Sequence, residues 1–313
     1  MSVPRGRPIG HPVAWSSGRP SSQVSGSGEA SASPKLRRST SSSLVLRRGW
    51  SRREAAIGES LSERDWAVLR SVAEHRFLVT RQVEQWHFHD HGSPLAGARA
   101  ARRVLRRLAG ARVLDPLARR VGGVRAGSAS YVWRVGPLGH RLLRSRDLGP
   151  LTKRPPSEPG LRFLEHCLAV ADVHLQLLTA EREGHVLLGR VQVEPACWRS
   201  YAGIGGERLT LKPDLFAITT IGGYEDHWFI EVDRGTESLP TLLTQCQRYE
   251  AYRRSGREQA MNDVFPLVVW IVLDEARQAR LRKAITGASA LDEALFRVVV
   301  PDDLVALLSG GVT

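Results

Sequence analysis

The chain is poor in cysteine: its 313 residues include three, Cys167, Cys197 and Cys246, and no two of them form a CxxC pair. That excludes a disulfide framework and a zinc site built on thiolates, and a reducing compartment fits best. Long apolar runs are also missing. No stretch approaches the roughly 18 residues that a membrane span needs, so a cytoplasmic protein without a membrane partner is expected. The opening residues lack the apolar segment of a secretory signal. Acidic residues are scarce in the front half. Residues 1–60 carry a net charge of +7 and residues 61–148 carry +10, whereas 149–313 carry −4. A front half of that sign draws a polyanion through counterion release, and DNA or RNA is the usual partner.

What is present divides the chain into four stretches. Residues 1–58 are dominated by Ser, Gly, Pro and Arg, with Arg37, Arg38, Arg47, Arg48, Arg52 and Arg53 in pairs. Such a composition buries no core and predicts a disordered basic arm. Residues 59–148 read as three helices followed by a β-hairpin. Ser62 and Asp65 open the first helix, whose inner stripe is Trp66, Leu69, Val72 and Ala73. Thr80 is the expected cap of the second, which turns Val83 and Trp86 inward. His87, His89 and His91 alternate through the next loop and, with no cysteine beside them, read as plain polar side chains. The third helix spans about 95–108, with Ala101, Val104, Leu105 and Leu108 inside and Gly110 as its stop. Strands near 113–117 and 130–135 enclose an Arg-bearing tip, and a helix near 138–143 closes the unit. This order is that of a winged helix-turn-helix.

Residues 149–160 hold four prolines and read as a linker. Residues 161–313 then alternate. A long helix (161–183) leads to strands at 186–194, 209–219 and 227–233, a helix (238–254), a strand (265–273), a helix (275–285) and a strand (295–300). The α-β-β-β-α-β order predicts a mixed sheet flanked by helices, and the fold class is α+β or α/β.

Two groups of residues carry chemistry. The third helix bears Arg99, Arg102, Arg103, Arg106 and Arg107 and no acid. Arginines within about two turns suit one crossing of the major groove, as guanine readers or phosphate clamps. Arg119, Arg120 and Arg125 would be the phosphate contacts of the wing. The second group is Asp214, Glu231 and Asp233. Glu231 and Asp233 stand at i and i+2 and share a strand face. If the strand beginning at Asp214 lies alongside, the three carboxylates converge as Mg²⁺ or Mn²⁺ requires for phosphodiester cleavage. The alternative is a structural network satisfied by cations or backbone. Glu165 and His166 read either as a pair on a helix surface or as a further carboxylate and imidazole beside Asp214, and Tyr249 and Tyr252 read as core rather than as DNA-stacking rings.

The stretch Lys212-Pro213-Asp214 with Glu231-Val232-Asp233 resembles the PD-(D/E)xK nuclease-like fold. From about Leu61 onward the chain resembles the replication-relaxation family, which joins a winged helix to such a domain. Leu61 to Asp65, Glu165 to Val173, Lys212 to Asp214, Glu231 to Glu237 and Arg248 to Tyr252 carry the resemblance. It implies a replication, relaxation or mobilisation factor of a plasmid or integrative element, acting on double-stranded DNA; nicking with Mg²⁺ or Mn²⁺ is one use the carboxylates would allow, and the resemblance does not itself establish catalysis. A relaxase or replication protein, or a second copy of the chain, would be its protein partner. The sequence departs from the nuclease pattern where a catalytic lysine usually stands, at Asp233. Arg248, on the following helix, cannot replace that lysine as a base because it stays protonated. That departure favours a second reading, a non-enzymatic DNA-binding regulator whose degenerate nuclease-like domain serves dimerisation or partner binding.

Overall fold

A computed structural model of the chain describes residues 7–8, 51–121, 130–146 and 158–310. The basic arm lies outside these residues up to position 50, apart from Arg7–Pro8, a two-residue strand (β1) paired with residues 224–225. The expected arm ends earlier than residue 58. Arg52–Ser60 form a helix, α1. Ser51 and Glu54 cap it reciprocally, Ala55 is buried, and Glu54 pairs with Arg141. These contacts give a polar stretch the anchorage that its composition does not announce.

The next elements follow the expected order. α2 (Glu63–His75) opens on a capping box of Ser62 and Asp65. β2 (Leu78–Val79) leads into α3 (Thr80–His87). The cap of α3 is one residue earlier than expected. Gln82 Oε1 accepts the Val79 N–H at 2.9 Å, which leaves the Thr80 hydroxyl to take the Trp133 indole N–H at 3.0 Å. α4 (Pro94–Gly110) starts on Ser93, whose hydroxyl accepts from Ala96, with Pro94 at the one position where its missing N–H costs nothing. β3 (Leu114–Val121) and β4 (Ser130–Val135) form the hairpin. β2 adds to the free edge of β4, giving the order β2-β4-β3. α5 (Pro137–Ser145) closes the head. The proline-rich linker is described only from residue 158 onward.

The remaining elements are α6 (Leu161–Arg182), β5 (Leu187–Val193), β6 (Arg199–Ala202), β7 (Arg208–Leu211), β8 (Leu215–Ile221), β9 (Tyr224–Asp233), α7 (Leu239–Arg254), α8 (Arg257–Asn262), β10 (Leu267–Val272), α9 (Glu275–Thr286), β11 (Phe296–Val299) and α10 (Leu304–Leu308). The main sheet runs β11-β10-β9-β8-β5. β11, β10 and β9 are parallel, while β9, β8 and β5 are antiparallel. The protein is therefore α+β with a mixed sheet, as expected. One expected strand is divided. Pro213 lacks a donor and fixes its own φ, so the run 209–219 breaks at residues 212–214. β7 pairs with β6 in a separate hairpin, and β8 enters the sheet.

α6 serves both halves. On one side Val170, Val173, Leu177 and Ala180 pack on the main sheet with Ile230, Ile271 and Leu307. On another, Ala171 and Leu175 complete the core built by Trp66, Leu69, Trp86 and Leu105. Leu164, Cys167 and Leu168 cover Phe77 and Val132. A helix buried nearly all round loses the one-sided polarity of a surface helix, and the sequence of α6 shows that pattern. Polar contacts reinforce the junction. Gln82 Nε2 donates to Leu168 O and Asp172 Oδ1, both at 2.9 Å. Arg182 donates to the carbonyls of Gln85 and Trp86 at the end of α3, where a cation also complements the helix dipole.

Candidate functional site

α4 is held so that its basic side faces outward. Gly97, Ala98, Ala101, Leu105 and Leu108 are buried, whereas Arg99, Arg102, Arg103, Arg106 and Arg107 are exposed. Gly97 lets the helix lie against the preceding turn: a Cβ there would stand 2.6 Å from the Phe88 carbonyl oxygen. Arg107 differs from its neighbours. It donates to Asp65 Oδ1 at 2.5 Å, and the Asp65 side chain is 1% exposed. Arg107 thus ties α4 to the cap of α2, and this bond and the neighbouring arginine charge help hold the Asp65 carboxyl below its usual range against the opposing effect of burial. Arg99, Arg102, Arg103 and Arg106 have no acidic partner among the described residues. Arg119 and Arg120 lie on β3, with Arg120 opposite Tyr131. Arg125 lies outside the described residues. His87, expected in the loop, is the last residue of α3; it meets the Ser71 hydroxyl at 3.0 Å, and burial lowers its pKa to about 4.

The three carboxylates sit close together in the chain's topology, and each is engaged separately. Asp214 precedes β8. Its Oδ2 accepts the Val232 N–H from β9 at 2.8 Å, and its Oδ1 lies 2.9 Å from His166 Nε2 on α6. That hydrogen bond raises the His166 pKa. Glu231 points from β9 toward α7, is 3% exposed and accepts the Tyr249 hydroxyl proton. Burial, then the nearby Asp214 carboxylate, pushes Glu231 well above the usual carboxylate range and favours its neutral form. Asp233, at the end of β9, accepts Gly235 N–H at 2.9 Å through Oδ1 and Arg277 Nε at 2.7 Å through Oδ2. Arg277, on α9, also donates to Glu237 O at 2.6 Å.

This arrangement does not fit a divalent cation. Both oxygens of Asp214 and of Asp233 already receive donors. Glu231 is buried beneath a phenol, and an arginine guanidinium occupies the place beside Asp233. Among the described residues, no group of three or more His, Cys, Asp or Glu is disposed to hold a metal. Lys212 makes no ion pair with a carboxylate among the described residues; its ammonium lies 4.7 Å from the Trp198 ring centre. Glu165 and His166 do not act as a pair. Glu165 binds Arg234 at 2.7 Å, while His166 serves Asp214. Tyr249 and Tyr252 are buried, as expected of core residues. Sequence reasoning missed Arg277, which lies 44 residues from Asp233 and carries no local signal of that bond.

No helix among the described residues is long and apolar enough to cross a membrane. A family model described as replication-relaxation matches residues 69–268, from within α2 to the start of β10. No curated protein and no solved structure matches the chain.

Proposed function

The chain belongs to the replication-relaxation family, and from that premise we propose that it is a DNA-binding factor in the replication or relaxation of a plasmid or integrative element. Its head is read as a winged helix-turn-helix, with α4 as the helix for the major groove and the β3–β4 hairpin as the wing. The main sheet is read as a nuclease-like framework whose carboxylates hold structure, so that the protein grips DNA without cutting it. A relaxase or replication protein would then supply the chemistry. The observation that carries the reading is the exposed row of Arg99, Arg102, Arg103 and Arg106 on a helix without an acid. An ordinary solvated helix face mixes both signs of charge, and this one presents only the sign that duplex DNA attracts.

Binding of duplex DNA measured across a salt series tests the grip. The double variant Arg102→Ala/Arg106→Ala is expected to bind more weakly. Its log–log salt slope should be shallower by about 0.9 for each phosphate that an arginine no longer neutralises. Equal binding at every salt concentration would remove α4 from the interface. Incubating supercoiled plasmid with the protein and Mg²⁺ or Mn²⁺ tests the second half. The expected result is supercoiled plasmid left intact. Nicking that Asp214→Ala abolishes would instead make the carboxylates catalytic.

A further inference from the structure

Leu95 is 70% exposed at the first turn of α4, and no other large apolar residue of the head is as open among those described. At 100° per residue, positions 95, 99, 102 and 106 fall within about 60° of one another. Leu95 therefore heads a narrow stripe that continues through Arg99, Arg102 and Arg106, on the side of the helix away from the core. Its neighbours leave it prominent. Ser93 is spent as the cap, Ala96 is small and exposed, and a Cβ at Gly92 would meet nothing within 4 Å. A lone exposed leucine on a mixed surface needs no explanation. This one leads a row of cations whose charge complements duplex DNA.

In the major groove, the one apolar feature that a base pair presents is the thymine 5-methyl group, and arginine pairs with guanine O6 and N7. The N-terminal residues of a groove-reading helix are those that reach the base edges. We propose that Leu95 is a specificity-determining residue: it contacts the 5-methyl group of one thymine, beside a guanine read by Arg99, while Arg102 and Arg106 lie further along the helix toward the backbone. The inference rests on α4 being the DNA-binding helix. It adds that the site recognised contains a thymine whose methyl group is itself read.

Replacing thymine by deoxyuridine removes that methyl group and nothing else. Duplexes preferred by the full-length protein are first selected from a random pool. Affinity is then measured with each thymine in turn replaced by deoxyuridine, for the wild type, Leu95→Ala and Leu95→Ser. One position is expected at which the wild type loses about four-fold in affinity, the worth of one buried methyl group. Both Leu95 variants should be indifferent to the exchange at that position while keeping the wild-type salt slope. Two variants of an exposed side chain guard against a single misfolded protein, and circular dichroism checks each. If no deoxyuridine position separates wild type from the variants while Arg102→Ala/Arg106→Ala still weakens binding, this inference falls and the DNA-binding reading stands. If the arginine variant binds as the wild type does, both fall.

Discussion

Arg277→Met is expected to lower the free energy of unfolding by about 3–5 kcal/mol, the usual cost of leaving one member of a buried ion pair without its partner. The Asp233 side chain is 1% exposed and that of Arg277 8%, so water does not replace the lost guanidinium. Methionine keeps much of the volume, which confines the loss to charge and hydrogen bonding. The Glu237 carbonyl also loses its donor. The double variant Asp233→Asn/Arg277→Met should recover a substantial part of the loss, because removing both charges also removes the uncompensated one. Urea denaturation of the three proteins measures this directly. A metal-binding Asp233 would give the opposite pattern: Arg277→Met would cost little, and Mg²⁺ would raise the midpoint of the variant. Equal stability of wild type and Arg277→Met would show that Asp233 is held by something other than Arg277.

Acidification from pH 6.5 to pH 4 is expected to weaken the junction between head and sheet. His75 ends α2 and His174 lies in the middle of α6, with Nε2 of one 3.0 Å from Nδ1 of the other. The Trp86 ring stands 4.8 Å and 5.0 Å from the two imidazoles. Burial lowers the His174 pKa to about 4. Burial and then the neighbouring imidazole hold His75 well below 6.5. The unfolded chain accepts these protons near pH 6.5, and the folded chain refuses them until far lower. Stability is therefore complete above 6.5 and drains as the pH falls, by about 1.4 kcal/mol per pH unit for each imidazole. Glu231 acts in the opposite sense. Its raised pKa favours the fold at low pH and withdraws that support as the pH rises above 4.5. Comparing the wild type with His174→Gln cancels the Glu231 contribution. The stability gap between the two proteins should narrow on acidification, by about 1.4 kcal/mol per unit. A gap that is the same at pH 7 and pH 4.5 would mean that His174 takes its proton equally well in both states.

The head is legible in the sequence because its signals are local. Ser62 with Asp65 announces a helix start, Leu105 and Leu108 set the phase of α4, and the strand pair around the arginine tip announces a hairpin. The main sheet of the alternating second half is legible for the same reason, since β8 and β10 are apolar runs of suitable length, whereas β6 (Arg199-Ser200-Tyr201-Ala202) carries no such signal. Bonds between distant segments are not legible. Nothing near Asp233 points to Arg277, and nothing in α2 points to His174. The carboxylates illustrate the limit. Period-two alternation puts Glu231 and Asp233 on one face of β9, but it is silent on what packs there. A phenol from α7 and a guanidinium from α9 fill that face. α1 escapes a reading by composition because its anchorage is the capping of Ser51 by Glu54 and the bond from Glu54 to Arg141, and the second of these depends on the folded head.

α6 has a mechanical consequence. A single stiff rod of 22 residues, wedged between the arginine-bearing head and the sheet, transmits torque as well as position. On the proposed reading, a molecule seated on a duplex by α4 would carry its sheet at one azimuth and one offset along the DNA axis. Duplex DNA looks nearly alike in both directions to a partner that feels only its charge. With this protein bound as proposed, the two directions would differ, and a second protein arriving from either side would meet a front or a back.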